Sequence, residues 1–322
     1  MWLLVAGRTV RGRRMRAVRV AVAACAIAIM LGVTSAGASN GLPAPGSPKQ
    51  VAALVAASHK IDVLPRDLDP AFENVGDNTP ARYYAVTKNG CTGVKQCVFG
   101  RLGSKTAVVL FGDSHAWMWL PALVNVASSD GFKLVLIWMP GCPAASLSVW
   151  NPDTHSVLTA CNSFRSSSVA LIKKLAPALV LLASRTTNMY GAHHELFSNA
   201  AWQAGLEKTI GALKTKATAV AVIGDITAFN VQLPECLATY PEHVQHCSVS
   251  NPNKEVDEHV AAERAAAKAE AVAYIDPQPW LCTKTCSPVI GSMAAYFDSL
   301  HVTAVYAAYL SIEFQVALKH LV

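Results

Sequence analysis

Charge is scarce in this chain. Only 15% of its 322 residues are Asp, Glu, Lys or Arg, whereas 52% are hydrophobic, a balance that excludes a disordered protein and leaves enough apolar material for one large α/β domain or two small ones. Acidic residues and lysine are missing altogether from residues 1–38, where Arg8, Arg11, Arg13, Arg14, Arg16 and Arg19 supply the whole of the net charge of +6. Beyond them the basic residues match the 21 acidic ones, so nothing electrostatic points to a nucleic-acid partner. The sequence also lacks an internal repeat, and the serine at 114, with Gly two residues before it and Ala two after, is not in the GxSxG elbow of the α/β-hydrolases.

Long hydrophobic runs are nearly absent too. The run at residues 20–33 is short for a bilayer span and of normal length for the core of a signal peptide. Ala36 and Ala38 are small enough for a signal peptidase, so cleavage after Ala38 is one expectation; an uncleaved anchor with its arginines inside is the other. Either way, everything after residue 38 is exported, and the membrane is met only through this N-terminal segment. Cys25 lies inside the run instead of at its end, which argues against a lipoprotein. Residues 39–58 open with a Pro, Gly and Ser-rich stretch that reads as a tether, with a short helix possible at 51–58. Residues 59–105 read as an extension packing on the core and 106–322 as the main domain.

Eight cysteines remain once Cys25 is set aside: Cys91, Cys97, Cys142, Cys161, Cys236, Cys247, Cys282 and Cys286. An even count in an exported chain reads as disulfides, although sequence does not fix their connectivity. Pairing of nearest neighbours is the expectation: Cys91 with Cys97, Cys142 with Cys161, Cys236 with Cys247, and Cys282 with Cys286.

From residue 106 short aliphatic runs alternate with longer amphipathic stretches. Strands are expected at 107–111, 134–138, 179–183 and 219–223, with a weaker one at 272–275. Helices are expected at 117–128, 164–175, 200–213, 254–271 and 303–321. Strands apolar on both faces and separated by helices imply a three-layer α/β fold around a doubly wound parallel sheet, which binds ligands at the carboxyl ends of its strands.

Two short motifs carry chemistry. Gly112, Asp113, Ser114 and His115 stand between an apolar strand and a helix, where a serine is placed for nucleophilic attack next to free backbone N–H groups. The competing reading is that Ser114 only caps the helix. Asp298 and His301, in one loop before the last helix, can supply the base that takes the serine proton and the acid that orients it. Alternatively, Asp298 caps that helix beside an unrelated histidine.

Taken with the cysteines, these motifs make the chain resemble the SGNH domains fused to, or encoded beside, acyltransferase family 3 membrane proteins that O-acylate bacterial surface glycans. The resemblance rests on Cys91, Cys97, Phe99 and Gly100; on GDSHAWMWLPAL at 112–123; on Gly141, Cys142 and Pro143; on Cys161; and on Ile275, Asp276, Pro277, Leu281, Cys282, Cys286 and YFDSLHVT at 296–303. It implies a flavodoxin-like sheet order, Ser114 as nucleophile, His301 as general base and acid, and Asp298 as its partner. No cofactor and no metal is implied. The wider family supplies oxyanion donors from the backbone after the nucleophile, from a glycine and from an Asn in a GxND stretch. Here Gly141 matches the glycine, GxND is missing from 182–190, Arg185 looks like a feature of the acyltransferase-linked branch, and Asn188 is a candidate donor.

Other clusters read more simply. Cys236, His243, His246 and Cys247 fit no common zinc spacing, His193, His194 and Glu195 read as loop polarity, and Trp117, Trp119 and Trp138 as core residues near the site. The function expected is therefore an extracytoplasmic serine-dependent O-acyl transferase, most simply an O-acetyl transferase, or an esterase. It would act on a cell-envelope glycan acceptor with an acyl donor supplied by a separate acyltransferase family 3 membrane protein. The alternative is a non-catalytic glycan-binding or scaffold protein on the same fold.

Overall fold

The computed structural model describes residues 41–84, 97–151, 154–250 and 254–322, with the backbone alone at 254–258. A six-stranded sheet organises them: β1 (Cys97–Gly100), β2 (Ala107–Gly112), β3 (Lys133–Trp138), β4 (Leu179–Ala183), β5 (Ala219–Ile223) and β6 (Ala273–Ile275), in the order β1-β3-β2-β4-β5-β6. Strands β2 to β6 are mutually parallel, and β1 adds an antiparallel edge to β3. Without that edge the order is the flavodoxin-like one, which places the ligand crevice where β2 separates the two directions of winding.

Ten helices are described: α1 (Pro48–Ser58), α2 (Pro80–Tyr84), α3 (Ser114–Trp117), α4 (Leu120–Asp130), α5 (Thr159–Leu175), α6 (Asn199–Leu213), α7 (Leu233–Thr239), α8 (Lys254–Ala269), α9 (Ala304–Tyr309) and α10 (Ser311–Leu318). Because successive strand residues point to opposite faces, β2 sends Val108 and Leu110 into a core with residues of α1, α4, α9 and α10. Its Val109 and Phe111 enter a second core with residues of α5, α6 and α8. All four residues have no exposed surface, and burying a side chain of this size contributes about 1.5–3 kcal/mol.

Register brings the strand ends level. Gly112 pairs with both Trp138 and Ala183, Ala183 with Ile223, and Ile223 with Ile275. The loops that follow leave the sheet from one row. A side chain on Gly112 would collide with the carbonyl of Ala183, so the close approach of β2 and β4 at this edge requires glycine.

Four features differ from expectation. The helix expected at 117–128 starts earlier and is broken in two, α3 and α4, where Pro121 in the first turn of α4 fits a fresh helix start and cannot donate into a preceding turn. The one expected at 303–321 is likewise divided, at Leu310. Strand β1 and helix α7 had no periodic signal. Finally, the segment expected as a tether docks: Ser47 and Gln50 form a capping box, Pro48 opens α1, and Val51 and Val55, one turn apart, are buried in the main core. Three of the expected disulfides are present, Cys142–Cys161, Cys236–Cys247 and Cys282–Cys286; that of Cys91 with Cys97 falls on a residue outside those described. The same holds for the expected signal peptide or anchor at 1–38.

Candidate active site

Ser114 leaves the carboxyl end of β2 as the first residue of α3. Its helix is capped by its neighbour: Asp113 has extended backbone angles, and its side chain accepts from the His115 N–H at 2.8 Å. The Ser114 hydroxyl is therefore not spent on capping. It lies 2.8 Å from Nε2 of His301.

His301 is held from several directions. Its Nδ1 is 2.8 Å from Oδ2 of Asp298, while Oδ1 of Asp298 accepts from the backbone N–H groups of Leu300 and His301 at 2.7 and 2.8 Å. Asp298 does not cap the following helix, because Thr303 does so by accepting from the Tyr306 N–H. Burial on its own raises the Asp298 pKa, but the hydrogen bond and charge of His301, with the two backbone donors, outweigh it and hold the carboxyl below its ordinary value. Phe297 lies parallel to the His301 ring at 5.2 Å, and Trp117 in turn meets Phe297 edge-on and stacks on Trp138 at 5.0 Å. Two of the three tryptophans thus brace the aromatic wall behind the imidazole, whereas Trp119 is core.

Beneath this chain lies a second, sealed set of polar groups that sequence reasoning missed. His115 packs edge-on to His301, ring centres 4.9 Å apart, and its Nδ1 is 2.6 Å from Oδ1 of Asp225, just past β5. Oδ2 of Asp225 accepts from the N–H and the hydroxyl of Thr186 at 2.7 and 2.8 Å. The Asp225 N–H donates to Glu263 of α8 at 3.0 Å. Asp113 accepts from the Arg185 N–H with both oxygens, at 3.1 and 2.9 Å. Asp113, His115, Asp225 and Glu263 are all buried. Burial pushes Glu263 well above the ordinary carboxyl value, reinforced by the charge of Asp225. Burial likewise raises Asp113, against the pull of His115 and two N–H donors. Asp225 goes the other way: burial opposes its charge, but His115 and Thr186 prevail and keep its carboxyl low. A signal for the two aspartates was in the sequence, since Ile223-Gly224-Asp225, two strands away in the sheet, repeats the apolar-Gly-Asp pattern of Phe111-Gly112-Asp113.

The three oxyanion or substrate candidates come together. Gly141, with φ of +66°, Arg185 and Asn188 line one cavity of about 460 Å³, along with Trp150, Met189 and Tyr190. The Arg185 guanidinium donates to the Asn188 carbonyl and to the Met189 sulfur, both at 3.3 Å, and its buried Nε has no hydrogen-bond partner. His115, the residue after Ser114, uses its N–H on Asp113, so that donor of the wider family pattern is engaged in this chain. His194 stacks on Trp150 at 5.3 Å beside the cavity, while the backbone N–H of His193 donates to Glu195, tying that loop to itself. Cys236 and Cys247 are bonded to each other and offer no thiolate beside His243 and His246.

A hydroxyl in contact with an imidazole that a carboxylate orients can be deprotonated as it attacks an electrophilic carbonyl. The arrangement is suited to acyl transfer.

A family model described as an SGNH domain fused to AT3 domains matches residues 83–315. Among solved structures, the periplasmic domain of a lipopolysaccharide acetyltransferase from Salmonella ser. Paratyphi A is similar, at 17% identity over 67% of this chain and 85% of that one, with a TM-score of 0.54. Weaker likenesses include Est24, a carbohydrate acetylesterase from Sinorhizobium meliloti (15% identity, 68% and 100% coverage, TM-score 0.47), and a lipase/acylhydrolase from Enterococcus faecalis (17% identity, 66% and 95%, TM-score 0.43). At these identities the likeness is one of fold. The chain matches no curated protein by sequence.

Proposed function

The chain belongs to the SGNH domain family of the kind fused to AT3 domains, and from that premise we propose that it is a serine-dependent O-acyl, most simply O-acetyl, transferase or esterase acting on a cell-envelope glycan. The observation that carries this reading is the unbroken path from Asp298 through His301 to Ser114, with both hydrogen bonds 2.8 Å long.

In the proposed reaction Ser114 Oγ attacks the carbonyl carbon of an acyl ester while His301 Nε2 takes its proton. Asp298 fixes the imidazole so that Nδ1 carries hydrogen and Nε2 is free, and balances the cation that forms. The tetrahedral oxyanion is received by donors drawn from Gly141, Arg185 and Asn188, each such donor being worth about 2.7–4 kcal/mol at the transition state. As the carbon–oxygen bond breaks, His301 returns the proton to the departing alkoxide and an acyl-Ser114 ester remains. A glycan hydroxyl then attacks it through the same base, giving transfer; water in that place gives hydrolysis.

The three disulfides favour an oxidising compartment outside the cytoplasm. The family description favours an AT3-type membrane protein as the source of the acyl group, and the aromatic and polar lining of the cavity is of a kind that receives a sugar.

A fluorophosphonate probe tests the nucleophile. The wild type is expected to take one label per chain, Ser114→Ala none, and His301→Ala label far more slowly. A folded wild type that stays unlabelled leaves a glycan-binding protein as the better reading. Mass analysis of envelope glycans with and without the protein then separates transfer from hydrolysis.

A further inference from the structure

The loop after β4 carries two of the candidate donors, yet it has none of the GxND sequence that shapes this loop elsewhere in the family. What holds it is a set of three ties. Ser184 accepts from the Ala144 N–H at 2.8 Å, Arg185 donates to Asp113, and Thr186 donates twice to Asp225. Each tie runs to a different strand end: past β3, past β2 and past β5. Arg185 therefore projects from a backbone fastened at three consecutive residues, and Asn188 follows two residues beyond the last of them.

Asp225 is the one anchor reached from the nucleophile's side by a side chain. Its carboxylate takes hydrogen bonds from Thr186 twice, from the Ile226 N–H at 2.8 Å, and from His115. A buried carboxylate is tolerated only when it is paired and hydrogen-bonded. The partner that pairs it adjoins Ser114 in the chain and packs against the ring of His301.

We infer that the buried His115–Asp225 pair is a positioning device, which locks the 184–188 loop, and with it Arg185 and Asn188, against the Ser114 turn and the His301 ring. The inference rests on the acyl-enzyme reading above. His115 is not a second base: Ser114 Oγ is in contact with His301, and Nε2 of His115 is buried with no hydrogen-bond partner. Its Nδ1 does the positioning. Without it Asp225 loses its ion-pair partner, the grip on Thr186 slackens, and the donors lose their alignment with the developing oxyanion.

The experiment uses the purified full chain and p-nitrophenyl acetate, with fluorophosphonate labelling and melting temperature measured on each variant. His115→Phe keeps a ring against His301 and removes the contact to Asp225. His115→Asn returns an N–H close to the position of Nδ1. Thr186→Val removes the hydroxyl tie at the far end of Asp225 with little change of shape, and serves if the Phe variant does not fold. In His115→Phe, kcat is expected to fall about 10²-fold, the scale of a 1 Å misplacement, with KM within about twofold, the pattern of an interaction made only in the transition state. Thr186→Val moves the same way by less, and His115→Asn recovers most of the loss. A purely structural pair would lower the melting temperature and leave kcat per labelled site intact. Wild-type kcat in folded His115→Phe or Thr186→Val, or a loss that His115→Asn does not recover, overturns the inference while leaving an active wild type. A wild type that neither labels nor turns over removes the enzyme reading, and this inference with it.

Discussion

Two His–Asp pairs stand side by side at the carboxyl edge of the sheet, and they differ mainly in access to water. In His301–Asp298 the side chains are 14% and 30% exposed; in His115–Asp225 they are 3% and 0% exposed. Each joins Nδ1 to a carboxylate, and each carboxylate is held low by its histidine against the effect of burial. The open pair presents Nε2 to Ser114, where a substrate can arrive and a proton can travel. The sealed pair presents Nε2 to nothing and spends its carboxylate on backbone N–H groups of neighbouring loops. On the proposed reading, the same two side chains perform chemistry where solvent reaches them and fix geometry where it does not.

The sharpest way to break the open pair is Asp298→Asn. The amide can still accept from Leu300 and His301, but it favours the wrong imidazole tautomer, and kcat for an acetyl ester is expected to fall about 10⁴-fold in a protein that still folds. Loss of less than about tenfold would assign the orientation of His301 to Phe297 and the sheet instead. The same residue has a stability signature. Its pKa is lower folded than unfolded, so its contribution is present above the ordinary value of 3.8 and is lost as pH falls through the lower folded value. Acid unfolding of Asp298→Asn compared with wild type reads that contribution directly.

A smaller effect is expected at the cavity that Arg185 lines. Arg185→Gln removes the guanidinium and keeps the backbone N–H bound to Asp113, so the loop stays tied. If Arg185 is a donor to the oxyanion, kcat falls about 10²-fold at unchanged KM. A wild-type kcat would leave the oxyanion to Gly141 and Asn188.

The contrast between the pairs also explains what the sequence disclosed. Asp298 and His301 are three residues apart in one loop, so local spacing sufficed to pair them, and only their approach to Ser114 needed the fold. His115 and Asp225 are 110 residues apart and meet because β2 and β5 end level across β4, a consequence of register that no local window contains. Five parallel strands were legible because aliphatic runs at the sheet's centre have no other stable place. Strand β1 was not, since its four residues are half exposed and take their order from β3. The division of the helix after Ser114 turns on one proline, Pro121, and so on backbone chemistry that a periodicity reading averages away.

The smallest predicted effect concerns the charge that the sealed region can hold. Asp113, Asp225 and Glu263 are three buried carboxyls, and the charges of His115, Arg185 and Arg264 act among them. His115 compensates Asp225 directly, and Glu263, behind it on α8, is pushed furthest up by burial and by its neighbours' charge. Glu263 is accordingly neutral when folded at pH values where it ionises unfolded. Its contribution is fully present below the ordinary value of 4.5 and declines as pH rises towards the folded value, at up to about 1.4 kcal/mol per pH unit. Glu263→Gln keeps an oxygen to accept from the Asp225 N–H and removes the ionisation. Urea unfolding at pH 4, 6 and 8 is therefore expected to show equal stabilities at pH 4 and a widening advantage for Glu263→Gln above it, with turnover unchanged because the His115–Asp225 contact is intact. Stability curves that stay parallel would show Glu263 ionised in the folded protein.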